Sequence, residues 1–214
     1  MSIGIIDYGV GNLGSVKRAI ELAGGKTSFI KNPEDTGDHK SLILPGVGNY
    51  TECYNKLKQN HWVKFFNENF DSNRWPLLGI CVGMQLLMES GYEGASEEHP
   101  TPGLGLIKGV VKNLSDQGCN NRLPHVGWNS IDIANKRQSP CIFDGISNKT
   151  DFYFVHSFGV IVDDISMISA TVNYGIDIVA SVANQNIFGT QFHPEKSSKA
   201  GLALYKNFIN ISQC

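Results

Sequence analysis

The chain has 214 residues, 41% of them hydrophobic and 18% charged, with a formal net charge of -2. That length can bury a sizeable core in one domain, and the near-neutral charge removes the electrostatic case for a nucleic-acid or anionic-membrane partner. No apolar run approaches the ~20 residues that span a bilayer. The start, Met1 to Asp7, lacks the basic segment and long apolar stretch of a signal peptide. The cysteines Cys53, Cys81, Cys119, Cys141 and Cys214 are odd in number, widely spaced and without a C-x-x-C. They argue against a disulfide framework or zinc knuckle and for a reducing cytoplasm.

In chain order, Ile3 to Ile6 predicts a short buried strand. Tyr8 to Asn12 predicts a loop, and Leu13 to Ala23 an amphipathic helix with Val16, Ala19, Ile20 and Ala23 at helical spacing. Gly24-Gly25 ends it. Thr27 to Ile30 and Ser41 to Leu44 predict the second and third strands, the latter broken sharply by Pro45-Gly46-Val47-Gly48-Asn49. Tyr50 to Phe70 holds one or two helices, and Trp75 to Ile80 a fourth strand. This rhythm predicts a parallel sheet covered on both faces. Beyond Tyr92 short β-type segments dominate: Leu106 to Leu114, Trp128 to Ile133, Asp151 to Val155, Met167 to Val172, Ile178 to Val182 and Ile187 to Gln191. They suit antiparallel additions to the sheet. Lys199 to Ile211 predicts a closing helix. Without repeats or linker-like segments, residues 1–214 read as a single domain.

Two motifs have competing readings. Gly9-Val10-Gly11-Asn12-Leu13-Gly14 satisfies the dinucleotide fingerprint G-x-G-x-x-G. The acidic residue expected ~20 positions on, at the end of the second strand, is missing, since that strand ends Phe29-Ile30-Lys31. A turn shaped for close backbone approach fits better. His193-Pro194-Glu195 lacks a third ligand at useful spacing, so no metal is expected.

Gly79-Ile80-Cys81-Val82-Gly83, between an apolar run and a helix-like run to Glu89, has the form of a nucleophile elbow. Larger side chains at positions 79 and 83 would crowd the turn, and a helix N-terminus favours thiolate over thiol. A buried structural cysteine with two packing glycines fits this window equally. A thiolate nucleophile needs a base, and the base an orienting acid. Among six histidines, His39, His61 and His99 have polar surroundings. His193 instead follows an apolar strand, with Glu195 two residues on. In an extended segment these point to one side, so Glu195 can hold one imidazole nitrogen while the other faces the thiol.

Gly79 to Gln85 with His193-Pro194-Glu195 resembles the class I, triad-type glutamine amidotransferases, and the resemblance runs the length of the chain. Asp7 to Leu13, Leu123 to Asn129, Tyr153 to Phe158 and His193 to Ser198 narrow it to the glutaminase subunits of imidazole glycerol phosphate synthases. The resemblance implies a three-layer, flavodoxin-like α/β fold, with a central mixed, mostly parallel sheet, helices on both faces and antiparallel additions. It implies hydrolysis of glutamine by Cys81, His193 and Glu195, with oxyanion donors at Val47 and Val82 and no cofactor. Glutamine would be held by Gly46, Gly48, Gln85 and Glu93, and by the backbone around His156, Ser157 and Phe158. The implied partner is a (β/α)8-barrel cyclase, faced by Asn12, Pro124, Val126, Trp128 and Lys196. Other readings stay open: a paralogous subunit supplying ammonia to a surface-polysaccharide sugar, a nucleotide-binding or scaffolding protein, or a cysteine peptidase with the same triad order.

Overall fold

The computed structural model describes residues 2–134 and 141–213, so Cys214 lies outside the described residues. A nine-stranded sheet runs through the molecule. Its parallel half contains β1 (Ser2–Ile6), β2 (Lys26–Ile30), β3 (His39–Gly46) and β4 (Leu77–Cys81). Every residue of β4 is buried, as a central strand covered on both faces requires. Helix α1 (Leu13–Leu22) buries Val16, Ala19 and Ile20. Helix α2 (Tyr50–Gln59) is capped by Asn49, whose side chain accepts from Glu52 N at 3.1 Å. Helix α3 (Trp62–Glu68) follows it.

The later segments are the short helix α4 (Val82–Gln85) and strands β5 (Ser90–Gly91), β6 (Thr101–Pro102), β7 (Gly109–Asn113), β8 (His125–Ile133) and β9 (Asp151–His156). Then come β10 (Phe158–Val162), β11 (Ile168–Asn173), β12 (Asp177–Asn184), β13 (Ile187–Thr190) and α5 (Ser198–Ile211). The strand order is β2-β1-β3-β4-β13-β12-β11-β8-β9. Pairing is parallel from β2 to β13 and antiparallel from β13 to β9. Helices cover both faces: α1 packs on α5, and α2 on α3.

Three local expectations are corrected. Strand β3 does not break at Pro45. It continues to Gly46, pairing Pro45 with Ile80 and Gly46 with Cys81. The ladder from β1 has ended by then, at Ile43, so the missing proline N–H costs that side nothing. The helical run after Cys81 is one turn, not a helix to Glu89. Leu87 N and Met88 N bond back to Met84 O and Gln85 O in tighter i→i−3 turns, and Leu86, Leu87 and Met88 are fully buried with no solvent face. Finally, the expected strand from Asp151 to Val155 is present as β9, and a further strand that was not expected, β10, follows it directly. The chain leaves the large sheet at Ser157 and enters a second sheet, ordered β10-β7-β5-β6.

Candidate active site

Cys81 ends β4 with φ 55° and ψ −113°, a conformation that costs a non-glycine residue about 1–3 kcal/mol. Packing enforces it. A Cβ on Gly83 would collide with the Leu44 carbonyl, and one on Gly79 would lie 2.7 Å from the Gly83 carbonyl oxygen. Gly46 is closed in likewise, 2.6 Å from Gly83 N. These three glycines let β3, β4 and the turn after Cys81 meet backbone to backbone. Val82 N begins the one-turn helix, where an amide has no intrahelical acceptor.

The neighbouring strand β13 pairs Thr190 with Ile80 and leads to His193. His193 Nδ1 lies 2.7 Å from Glu195 Oε1. The link between these two residues holds, but its geometry differs from the extended one expected. Pro194–Lys196 forms a single 3-10 turn that folds Glu195 back under the ring. Ser197 braces the turn: its hydroxyl donates to His193 O at 2.6 Å and accepts from Tyr153 N at 3.0 Å. Burial pulls the His193 pKa down. Hydrogen bonds to Cys81 and Glu195, with the charges of both, outweigh burial and raise it to about 9.

Cys81 and His193 open into a cleft of about 240 Å³ lined also by Val47, Gly48, Val82, Gln85, Glu93, Val155, His156, Ser157, Phe158 and Lys196. All the expected binding positions except Gly46 line it, Gly46 lying behind in the ladder with Cys81. Glu93 is tied to the start of α2, its Oε2 accepting from Tyr50 N at 3.0 Å. Burial raises the Glu93 pKa, partly offset by that bond. Gln85 is buried, and its Nε2 donates to Phe158 O at 3.0 Å and Gln191 Oε1 at 3.1 Å. The backbone of residues 156–158 reaches the cleft because Ser157 is the corner between the two sheets.

The expected partner-facing residues lie on several elements. Val126 and Trp128 on β8 are 53% and 51% exposed. Trp128 meets Tyr153 edge-on at 6.1 Å, and Lys196 Nζ stands 5.6 Å over the same Tyr153 ring. An aromatic strip thus joins the cleft mouth to β8. Pro124, after a cis peptide, and Asn12, ahead of α1, are exposed. Sequence reasoning left out Gln191 and gave His125 no role. Gln191 Nε2 lies 3.7 Å from Cys81 Sγ, and His125 Nδ1 lies 3.0 Å from His156 Nε2. Gln191 carried a signal, two residues ahead of His193 on the same segment. Among the described residues, no group of three or more His, Cys, Asp or Glu side chains is arranged to hold a metal ion, and no helix is long and apolar enough to cross a membrane.

An elbow cysteine, an acid-backed histidine and a polar cleft meet at the carboxyl ends of parallel strands in an α/β fold, an arrangement chemically able to support nucleophilic catalysis by a thiol. Residues 4–211 match the glutamine amidotransferase class-I family, and the chain belongs to that family. It is 44% identical to the imidazole glycerol phosphate synthase subunit HisH of Pelagibacter ubique over 99% of this chain and 100% of that protein. It is also 44% identical to subunit HisH 1 of Campylobacter jejuni strain RM1221 over 98% of this chain and 100% of that one. The Methanococcus maripaludis subunit HisH 1 is 41% identical over 98% and 99% of the two chains. Among solved structures, a glutamine amidotransferase superposes with TM-score 0.69 at 17% identity, covering 99% of both chains. A chain of PurLQS from Thermotoga maritima superposes with TM-score 0.68 at 19% identity, covering 98% of both chains. These two likenesses speak to the fold.

Proposed function

We propose that this chain is the glutaminase subunit of an imidazole glycerol phosphate synthase. It releases ammonia from glutamine and passes it to a (β/α)8-barrel cyclase that makes imidazole glycerol phosphate and an aminoimidazole carboxamide ribonucleotide in histidine biosynthesis. The observation that carries the chemistry is the buried Cys81–His193–Glu195 arrangement at the cleft. The end-to-end identity to HisH subunits supports the pathway.

The steps follow from the geometry. Cys81 thiolate attacks the side-chain amide carbon of glutamine, forming a C–S bond and a tetrahedral oxyanion. The amides of Val47 and Val82 are the proposed donors to that oxygen, and one such donor lowers a barrier by about 3 kcal/mol. His193 holds the thiol proton and delivers it to the departing nitrogen. The C–N bond breaks, releasing ammonia and leaving a glutamyl thioester. Water, deprotonated by His193, then hydrolyses the thioester and regenerates the thiol. Against burial, hydrogen bonds to Cys81 and Glu195 raise the His193 pKa to about 9, which favours the imidazolium form that can act as the acid. Gln85, Glu93 and the backbone of residues 156–158 would hold the substrate, while Trp128, Val126, Pro124, Asn12 and Lys196 would face the cyclase.

The test is Cys81→Ala in the complex with a cyclase subunit. Synthesis from glutamine should vanish while synthesis from added ammonium persists. Equal loss of both would refute the assignment.

A further inference from the structure

A chain of hydrogen bonds with a fixed direction runs behind the cleft. The Phe158 carbonyl oxygen can only accept, and it lies 2.8 Å from His156 Nδ1 and 3.0 Å from Gln85 Nε2. His156 therefore carries its proton on Nδ1, leaving Nε2 as an acceptor. His125 Nδ1, 3.0 Å away, must donate to it. His125 Nε2 then accepts from Asn129 Nδ2 at 2.9 Å. On the other side, the second N–H of Gln85 goes to Gln191 Oε1 at 3.1 Å, and Gln191 Nε2 points to Cys81 Sγ at 3.7 Å. His125, His156, Gln85 and Gln191 are all buried, and the His125 ring stacks on Phe154 and Tyr174.

Both N–H groups of Gln85 are thus consumed inside the protein. Its Oε1 is buried without a partner, on a side chain that lines the cleft. A flipped Gln85 amide would set its oxygen against the Phe158 carbonyl and Gln191 Oε1, both acceptors, so the orientation is determined.

We propose that His125, His156 and Gln191 form a positioning relay, which holds the Gln85 oxygen toward the cleft to accept an N–H of the bound amide substrate and keeps an N–H donor on the Cys81 sulfur. The relay rests on the glutaminase reading for the identity of that substrate. Burial favours the neutral imidazoles that the one-way donor pattern requires, lowering the His125 pKa to about 4 and that of His156 to about 3. A positioning role differs from plain packing in its predicted signature. Loss of the His156 donor should weaken substrate recognition alone, whereas loss of Gln191 should also disturb the sulfur.

The experiment follows iodoacetamide alkylation of Cys81 in the full-length chain, as a function of pH and of glutamine concentration. In His156→Leu, the glutamine concentration that half-protects Cys81 should rise about tenfold, with the pH profile of alkylation unchanged. In His156→Asn, whose amide nitrogen can replace Nδ1, most of that loss should be recovered. Gln191→Met should raise the half-protecting concentration similarly and move the alkylation profile about one pH unit upward. Wild-type protection in both His156 variants, or a wild-type alkylation profile in Gln191→Met, overturns the relay. If His156→Leu fails to fold, the Gln191→Met profile still decides. If glutamine neither protects nor is hydrolysed by the wild-type protein, the glutaminase reading fails, and the alkylation profile of Gln191→Met still tests the contact to the sulfur.

Discussion

His193 Nδ1 and Glu195 Oε1 stand 2.7 Å apart, and both side chains are sealed from solvent at 2% exposure. A buried carboxylate held against an imidazole favours the imidazolium and fixes the tautomer. Glu195→Gln keeps the shape and removes the charge. Glutamine hydrolysis should fall by about 10²-fold or more. The carboxylate helps to raise the His193 pKa to about 9, so its loss should carry the alkaline limb of the kcat/KM profile to lower pH. A limb that stays in place would refute this role for Glu195.

The collision between a Cβ at Gly83 and the Leu44 carbonyl makes Gly83→Ala a backbone-displacing change. The expected destabilisation is about 1–3 kcal/mol, the usual range for overpacking a tight interior. Thermal unfolding should show a lowered Tm. Gly14→Ala is the control, because a Cβ there meets nothing within 4 Å. If both variants melt together, close backbone packing does not hold the elbow.

The buried histidine pair makes stability depend on acid. Burial lowers His125 from 6.5 to about 4 and His156 from 6.5 to about 3. The unfolded chain therefore binds more protons than the native one in this window, and stability rises with pH there. The contribution is fully present above pH 6.5 and is lost as pH falls toward the folded-state values. His193, shifted upward, acts in the opposite sense and only between 6.5 and about 9. His125→Gln should show a shallower loss of Tm than wild type between pH 6.5 and 5. Parallel curves would contradict the assignment.

Trp128 is 51% exposed on β8, against Tyr153. Under the proposed assembly it is an aromatic anchor, and Trp128→Ala should weaken binding to a cyclase subunit by about 2 kcal/mol or more. The Tm of the isolated chain should hardly move, since little packing is removed. Calorimetric titration of the two subunits checks the first expectation and thermal unfolding the second.

The legible parts of this molecule are those whose physics is local. The five-residue turn around Cys81 needs small residues at 79 and 83 for steric reasons visible in the motif itself. Likewise His193 and Glu195 are two residues apart, so their contact needs little tertiary information. Strands such as Leu77–Cys81 announce themselves as apolar runs. The contacts behind the cleft, through Gln191 and His125, were not legible for the opposite reason. Gln191 reaches Gln85 across 106 positions and Cys81 across 110. The pairing of His125 with His156 depends on β8 and β9 lying antiparallel with those two residues in register. Pro45 reads as a breaker because proline lacks an N–H. Only the sheet shows that the ladder with β1 has already ended there. Nor does any residue type mark Ser157 as the place where one apolar run changes sheets.

Cys81 ends β4, and His193 follows β13 by three residues, the two strands being parallel neighbours with Ile80 facing Thr190. Their separation is therefore set by the spacing of two neighbouring strands together with the Ser197-braced turn that follows β13. The rest of the cleft is built from parts outside that ladder: the peptide at Val47–Gly48, the segment carrying Glu93, and the corner at Ser157. Under the proposed chemistry, the strand ladder fixes where the nucleophile stands, and the substrate-holding wall comes from segments of quite different sequence position.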